Sequence, residues 1–483
     1  MGAARFLFIF SLWGLIAMRI LPAAATDTPP ETEVWLTLAD QSHLLSPEAR
    51  LRFSAGMPPD DMHYVIRVDD STQYQRMEGF GAAMTDSSAW LLMRLLSDRQ
   101  RAEVMQNLFT REGTGIGISY VRIPIGASDF ALYDYSYNDL PRGETDPQLT
   151  QFSINYDEAY IIPALQMAQR LNPQLRFMAS PWSAPAWMKS GGQFHGGELL
   201  PQYYQAFADY LVRFVQAYAE HGITIDTLTP QNEPMHESPN YPTMRMSAEA
   251  QAAFIRDYLG PALQRAGLST RLVIFDHNWD LYQYALTVLA DPAAAAFVSG
   301  VGFHCYGGSV ANQSIVRDAH PNVGIWFTEC SGGDWSPQFA GNLSWNLHHL
   351  GIGNFRNWGN SLLLWNLALD ENSGPQNGGC GDCRGVVTIN QATAAVSYNV
   401  EYYVLGHFSR LIDPGAYRIA STSFIDGQPE NVAFLNPDGS LVLVVHSTQD
   451  TAFAVEWRGQ HFTYTLPAGA VVSFRWSGTT EDN

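Results

Sequence analysis

The chain has 483 residues and a formal net charge of −20, because 27 Lys and Arg stand against 47 Asp and Glu. Nucleic acid and anionic lipid both require a basic surface, so neither is an expected partner. Apolar residues make up 46% of the chain and charged residues 15%, which allows a large core and excludes disorder throughout. The only lysine is Lys189, so P-loop or Schiff-base chemistry would have to use that residue.

The N-terminus has the features of an export signal. Arg5 supplies a positive charge, residues 6–18 are apolar, and Ala23-Ala24-Ala25 forms a small-residue cleavage site. The apolar run is short for a transmembrane helix, and no other segment is long and apolar enough to span a bilayer. We therefore expect a signal peptide over residues 1–25 and a secreted or periplasmic protein without stable membrane insertion.

Next in chain order come two strand-like runs, Val34–Leu38 and Tyr64–Val68, and then a regular alternation of strands and helices. Eight strands that alternate with helices are typical of a (β/α)8 barrel, whereas the alternative, a doubly wound open sheet, rarely has eight such units. The predicted barrel strands are Met77–Met84, Ile118–Ile125, Leu175–Ala179, Thr227–Gln231, Leu272–Asp276, Val301–Tyr306, Ile325–Cys330 and Leu362–Leu367. The predicted helices are Ser87–Phe109, Tyr156–Leu171, Pro201–Glu220, Ala248–Ala266, Gly341–Asn357 and Ala394–Leu411.

After Leu411 the helical period stops, and six short strand-like runs follow, separated by turns such as Asn436-Pro437-Asp438-Gly439. This pattern predicts a small antiparallel β-sandwich. The early strands are left over from the barrel, so we expect the sandwich to be built from both termini. The predicted α/β architecture has an N-terminal sandwich segment at 26–75, a barrel at 76–411 and the rest of the sandwich at 412–483.

Two carboxylates end strands that should be buried. Glu233 follows strand four in the segment Thr229–Pro234, and Glu329 ends strand seven. Active sites of such barrels lie at the carboxyl ends of the strands, and a buried carboxylate is costly unless it is paired or functional. Paired carboxylates suit glycoside cleavage, in which one protonates the leaving oxygen while the other attacks the anomeric carbon. Asn232 is placed to hydrogen-bond a sugar hydroxyl.

Several segments together resemble glycoside hydrolase family 30, especially its glucocerebrosidase (glucosylceramidase) branch. They occur in the family's order and span about residues 75–410. The matching segments are Gly79–Asp86, Arg122–Phe130, Ala179–Lys189, Thr229–Pro234, the strand that ends at Glu329, and Leu364–Leu369.

The resemblance implies a retaining mechanism, with Glu233 as acid/base and Glu329 as nucleophile, their carboxyl groups about 5–5.5 Å apart. It implies that Arg122 lies under the nucleophile and keeps it ionised, that Tyr306 contacts it, and that no cofactor or metal is needed. The implied substrate-binding residues are Asp129, Trp182, Asn232, His304, Tyr306, Trp365 and Asn366. We expect Trp182 and Trp365 to be apolar walls of a pocket for one sugar.

The sequence predicts different states for the two pairs of cysteines. Cys380 and Cys383 lie in a Gly-rich loop of an exported chain, so we expect them to form a disulfide. If Glu329 and His304 face the barrel mouth, the pleat turns Cys330 and Cys305 towards the helices. On neighbouring parallel strands such cysteines are poorly placed to bond, so we expect free thiols there.

The expected substrate is a β-linked glucoside, glycolipid or glucan, cleaved by a β-glucosidase or glucosylceramidase. The loop Asp370–Arg384 departs from the lysosomal branch, where it borders the aglycone, and this departure weakens the case for ceramide. An endo-β-1,6-glucanase or a β-xylosidase with the same two glutamates stays open, as does the oligomeric state. A non-catalytic carbohydrate-binding protein would be expected to have lost Glu233 or Glu329, and this chain retains both.

Overall fold

A computed structural model describes residues 1–2 and 30–478 of the chain. Apart from its first two residues, the predicted signal peptide at 1–25 therefore lies outside the described part. Among the residues described, no helix has the length and apolar character needed to cross a membrane.

The centre of the fold is a parallel sheet of eight strands that closes into a barrel, as predicted. Neighbours in the sheet follow the chain order, and strand eight pairs with strand one. Strands seven and eight complete the ring through bonds such as Asn360 N–H to the Ile325 carbonyl, at 2.8 Å. In chain order the strands are Gly79–Ala83, Tyr120–Ile125, Arg176–Pro181, Ile225–Leu228, Arg271–Asn278, Val298–His304, Gly324–Glu329 and Ser361–Asn366.

Helices cover the outside of the barrel, and several are shorter than the sequence pattern predicts. The predicted helix Ser87–Phe109 is broken at Ser97, because Ser97 and Gln100 form a capping box that starts a new helix. Helical segments occupy Asp86–Trp90, Leu91–Leu95, Asp98–Phe109, Asn155–Glu158, Ile161–Leu171, Ala186–Met188, Pro201–Tyr203, Tyr204–Glu220, Ala248–Phe254, Ile255–Leu259, Gly260–Arg265, Trp279–Leu281, Gln283–Leu289, Pro292–Ala295, Asn312–Ala319, Phe339–Asn346, Leu347–Gly353, Asn354–Arg356 and Val400–Ser409.

The β-sandwich contains strands from both ends of the chain, as predicted. Glu31–Thr37 pairs antiparallel with Ala470–Ser477, and Tyr64–Arg76 joins Thr451–Trp457 through a parallel pairing that the antiparallel prediction did not include. The other sandwich strands are Ser46–Pro47, Leu51–Arg52, Ser54–Ala55, Tyr417–Ser421, Glu430–Leu435, Ser440–Ser447 and Gln460–Leu466. The sandwich has a hydrophobic core of its own, separate from the barrel core.

A buried histidine joins the two parts. His407, on the helix Val400–Ser409, lies 2.8 Å from Ser473 Oγ through one ring nitrogen and 2.8 Å from Thr37 Oγ1 through the other. Burial lowers the pKa of His407 to about 3, so the imidazole is neutral there.

Two small sheets fix loops at the barrel mouth. One pairs Gly332–Gly333 with Cys383–Arg384, and the other contains Ala368–Leu369, Val387–Ile389 and Val396–Tyr398.

Candidate active site

The predicted site residues meet at the carboxyl ends of the barrel strands. Arg122 lies on strand two, His304 ends strand six and Glu329 ends strand seven. Glu233 lies beyond strand four, in the left-handed region with φ of 43°, and its N–H donates to the carbonyl of Asp276 at 3.0 Å. A left-handed glutamate is strained, and such strain occurs where surrounding structure fixes a functional side chain.

Both glutamates lie beside one histidine. His304 Nδ1 is 2.9 Å from Glu233 Oε1 and 3.9 Å from Glu329 Oε1. Those two oxygens are therefore no further apart than the sum of the two distances. The separation of about 5–5.5 Å that a retaining enzyme requires stays a prediction.

Each oxygen of Glu329 accepts from a different donor. Arg122, which is fully buried, donates through Nη1 to Oε2, and the Tyr306 hydroxyl donates to Oε1 at 2.9 Å. The hydroxyl end of Tyr306 is buried although the residue is 46% exposed, and this burial and the charge of Glu329 raise its pKa well above the usual value, so the phenol stays a donor. These two contacts fix the carboxylate in position.

A third carboxylate, Asp276, lies beneath the two glutamates, and the sequence analysis did not select it. It is fully buried. Burial alone would raise the pKa of Asp276, but Arg122 and His304 lower it far below the usual range, so the group is an anion. Its donors are Arg122 Nη2 at 2.7 Å, Ser180 Oγ at 2.8 Å, Thr229 Oγ1 at 3.1 Å, Thr328 Oγ1 at 2.7 Å and His304 Nε2 at 3.1 Å. The rule that selected Glu233 and Glu329, a carboxylate at the end of a buried strand, applies equally to Asp276.

His304 and Glu233 share a proton. Burial alone would lower the pKa of His304, but Glu329, Asp276 and Glu233 raise it to about 9. Burial would raise the pKa of Glu233, but His277 and His304 lower it below its usual value. Groups this close titrate as a pair, so one proton is held on the His304 Nδ1 to Glu233 Oε1 contact.

Three other predicted residues have side-chain atoms available for a ligand. Asp129 Oδ1 is buried without a hydrogen-bond partner, and burial together with Glu329 and Glu233 raises the pKa of Asp129 well above its usual value. Asn366 Nδ2 is likewise buried and unpartnered. Asn232 Oδ1 accepts from Arg122 Nη2 at 2.7 Å, which leaves its amide nitrogen to donate elsewhere. Buried polar atoms without partners are costly, so these positions suit the hydroxyl groups of a sugar.

The two tryptophans that the sequence predicts as apolar walls of the pocket lie together. Trp182 and Trp365 stack on each other with ring centroids 4.9 Å apart and an interplanar angle of 18°. The Arg122 guanidinium lies 4.8 Å from the Trp182 ring centroid and 5.5 Å from that of Trp365. The stacked rings leave no room for a sugar between them, so the indoles form a single wall beside the arginine.

The loop Asp370–Arg384 lies against this wall. Cys383 and Cys380 pack in one apolar cluster with Trp182, Trp365 and Phe130. The Asn377 N–H donates to the Asp129 carbonyl at 2.7 Å, so the loop borders the Asp129 side of the site. Cys380 and Cys383 are paired in the structure, with Cα atoms 5.6 Å apart.

Cys305 and Cys330 are also paired, which corrects the expectation of two free thiols. Their Cα atoms are 5.4 Å apart, within the usual range for a disulfide. Both residues lie one position beyond the ends of strands six and seven, where the pleat no longer fixes the side-chain direction. A register shift pairs His304 with Glu329, and this alignment places the two following cysteines side by side.

Comparison with known families agrees with this geometry. Residues 77–412 match the family described as "Glycosyl hydrolase family 30 TIM-barrel domain". Residues 415–474 match the one described as "Glycosyl hydrolase family 30 beta sandwich domain". The chain belongs to glycoside hydrolase family 30. It is therefore an O-glycosyl hydrolase, as the resemblance implied.

Family 30 relatives with two kinds of activity resemble the chain over most of its length. An endo-1,6-β-D-glucanase of Trichoderma harzianum is 31% identical, covering 97% of this chain and 99% of its own. A putative glucosylceramidase of Caenorhabditis elegans is 33% identical over 84% of this chain and 82% of its own. A solved endo-β1,6-glucanase has a TM-score of 0.86 and 32% identity, covering 93% of this chain and all of its own.

Proposed function

We propose that this family 30 enzyme hydrolyses β-1,6-glucan with retention of configuration, with Glu329 as nucleophile and Glu233 as acid/base. One arrangement carries the proposal: Glu329 is held by Arg122 and Tyr306, whereas Glu233 lies 2.9 Å from His304 Nδ1. Two carboxylates in such different surroundings can take the two roles of a double displacement.

In the first step, a Glu329 oxygen attacks the anomeric carbon, and the bond to the leaving oxygen breaks. The proton shared by His304 and Glu233 passes through the Glu233 carboxyl to the leaving oxygen. The product is a glycosyl ester on Glu329.

In the second step, Glu233 takes a proton from water, and the water oxygen attacks the anomeric carbon and releases Glu329. Arg122 and Tyr306 stabilise the departing carboxylate because they contact its two oxygens. Asp129, Asn232 and Asn366 hold the hydroxyl groups of the sugar while Trp182 and Trp365 border it.

The choice of a glucan rests on the relatives and on the rim of the site. The glucanase relatives match the chain across both domains, from end to end, more fully than the glucosylceramidase relative does. Tyr306 and Trp335, on the loops after strands six and seven, are 46% and 56% exposed. The Tyr306 hydroxyl contacts Glu329, so the exposed part of this ring lies next to the nucleophile and suits stacking with a further sugar ring of a polymer.

Glucosylceramide is the second candidate. The Caenorhabditis elegans relative has the higher identity of the two curated proteins, and Met235, two residues after Glu233, is exposed at the rim. An aliphatic side chain there could contact an acyl chain. The sugar-binding part of the site serves either substrate, since both present a β-linked glucose.

The decisive experiment is to assay four substrates side by side: linear β-1,6-glucan, β-1,3-glucan, glucosylceramide in detergent, and aryl β-glucoside. We expect the highest kcat/KM on β-1,6-glucan, with oligosaccharides among the first products. Proton NMR of the first reducing ends should show the β anomer. A preference for glucosylceramide would favour the second candidate, and an α anomer would contradict the retaining mechanism.

We also propose that the protein is exported, because it would encounter a polymer such as β-1,6-glucan outside the cytoplasm. The signal peptide predicted over residues 1–25 supports it. N-terminal sequencing of the protein recovered from outside the cell should give a sequence that begins near Thr26.

A further inference from the structure

Glu233 lies beside two histidines, of which the catalytic proposal uses only one. His277 Nδ1 is 3.5 Å from Glu233 Oε1, and His304 Nδ1 is 2.9 Å from the same oxygen. The three ligand atoms all lie within 4.8 Å of one another. One carboxylate and two imidazoles are a donor set typical of zinc.

His277 reaches this position because strand five is irregular. Consecutive residues of a strand normally point to opposite faces, so Asp276 and His277 should diverge. A register shift at Asp276, where φ is 57°, instead lets Asp276 contact Arg122 while His277 approaches Glu233. His277 is only 5% exposed, yet its Nδ1 has no hydrogen-bond partner. A buried polar atom of this kind is costly unless something binds to it.

His304 has the contact that metal-binding histidines usually have. Its Nε2 lies 3.1 Å from Asp276 Oδ1, and its Nδ1 points to Glu233. In metal sites the second ring nitrogen is commonly bonded to a carboxylate, which fixes the tautomer and leaves the other nitrogen to bind the ion. Asp276 would have this role here.

The spacing and the charge fit a small divalent cation. Bonds of about 2.0–2.2 Å to zinc place neighbouring ligand atoms roughly 3–3.5 Å apart, close to the 2.9 and 3.5 Å found here. The carboxylates Glu233, Glu329 and Asp276 outnumber the buried cation Arg122, so the site attracts positive charge. The Glu233 side chain is 15% exposed, and a cation can therefore reach it from the mouth.

We propose that Glu233, His277 and His304 form a site for a transition-metal cation such as Zn²⁺, and that occupancy inhibits the enzyme reversibly. The cation binds Glu233 and His304 in their deprotonated forms, so any proton on either group is released to solvent. The enzyme then has no acid for the leaving group. This role is separate from catalysis, which needs no metal.

Binding is tested first without substrate. Chain treated with EDTA and then freed of it is titrated with Co²⁺, a spectroscopic substitute for Zn²⁺. We expect the visible absorption of cobalt in a low-coordinate nitrogen and oxygen site, and its loss when Zn²⁺ is added. Absence of these bands would overturn the proposal, whatever the enzyme's natural substrate proves to be.

Inhibition is tested on an aryl β-glucoside, each variant being compared with its own rate without zinc. Zn²⁺ should inhibit the wild type, and EDTA should restore the rate. His277→Gln should weaken inhibition by at least about tenfold, and Asp276→Asn by about 10–100-fold, the usual effect of losing a partner of a metal ligand. Unchanged inhibition in His277→Gln would overturn the proposal.

A matched control excludes binding at the surface. His348 is 49% exposed and lies 2.6 Å from Glu430, a pair that could itself hold zinc. His348→Gln should leave the cobalt bands and the zinc inhibition as in the wild type, and loss of inhibition in this variant would contradict the proposal.

If His277→Gln fails to fold, Glu233→Gln replaces it. The cobalt bands should be absent from this variant because the amide is a poor ligand, and retained bands would overturn the proposal.

Discussion

His304 and Asp276 form a buried pair beneath the mouth of the barrel, with His304 Nε2 3.1 Å from Asp276 Oδ1. The other nitrogen of the same ring lies 2.9 Å from Glu233. Asp276 therefore acts on the predicted acid/base through the imidazole, and it also bonds Arg122, which holds Glu329. One carboxylate with no expected contact to the sugar thus positions groups on both sides of the scissile bond.

Loss of this carboxylate should change the pH profile. The negative charge of Asp276 is one of the interactions that raise the pKa of His304 to about 9. Asp276→Asn removes that charge, so the pKa falls and the shared proton leaves at lower pH. Because the first step needs that proton, the alkaline limb of kcat/KM should move to lower pH. The profile on an aryl β-glucoside measures this shift, and a lower rate with an unmoved limb would indicate a purely structural role.

The two glutamates should respond differently to substitution. Glu329→Gln should abolish turnover, because the amide cannot form the glycosyl ester. Glu233→Ala should retain slow hydrolysis of substrates with good leaving groups, and azide should accelerate it by attacking the glycosyl ester in place of activated water. Azide should not restore the rate of Glu329→Gln. Rescue of neither variant, or of the wrong one, would contradict the assigned roles.

The sequence predicted the barrel and the two glutamates for identifiable reasons. Carboxylates that interrupt buried strands at their ends are conspicuous, which is why Glu233 and Glu329 were found. Asp276 satisfies the same rule and could have been selected. His277 could not, because its approach to Glu233 depends on a strand irregularity that the apolar pattern does not encode.

Two further features depend on three-dimensional geometry. The stacking of Trp182 on Trp365 joins residues 183 positions apart, one just past strand three and the other on strand eight, and no local pattern specifies it. The pairing of Cys305 with Cys330 depends on the register between strands six and seven. Alternation along a strand fails at the irregularity within strand five and just past the ends of strands six and seven.

The Cys305–Cys330 pair should contribute to stability. It closes a loop with a sequence separation of 25, for which the chain-entropy relation gives about 3 kcal/mol or slightly more. Cys305→Ala should lower the free energy of unfolding in urea by about that amount. Cys380→Ala is the matched control, since its bond spans a separation of only 3 and should contribute less. Peptide mass mapping that finds free thiols at Cys305 and Cys330 would contradict the assignment.

The last prediction concerns recognition of the sugar by Asp129. Its Oδ1 is buried and unpartnered, so a sugar hydroxyl that donates to it relieves a cost already present in the free enzyme. Asp129→Ala should lower kcat/KM on an aryl β-glucoside by about 1–3 kcal/mol, the cost of leaving a buried hydrogen-bonding partner unsatisfied. The matched aryl β-xyloside lacks the hydroxymethyl arm. If Asp129 holds that arm, the variant should lose little activity on the xyloside, and the enzyme's preference for the glucoside over the xyloside should narrow. If Asp129 holds a ring hydroxyl instead, the variant should lose activity equally on both substrates. A variant with wild-type kcat/KM on both substrates would show that Asp129 does not bind the sugar.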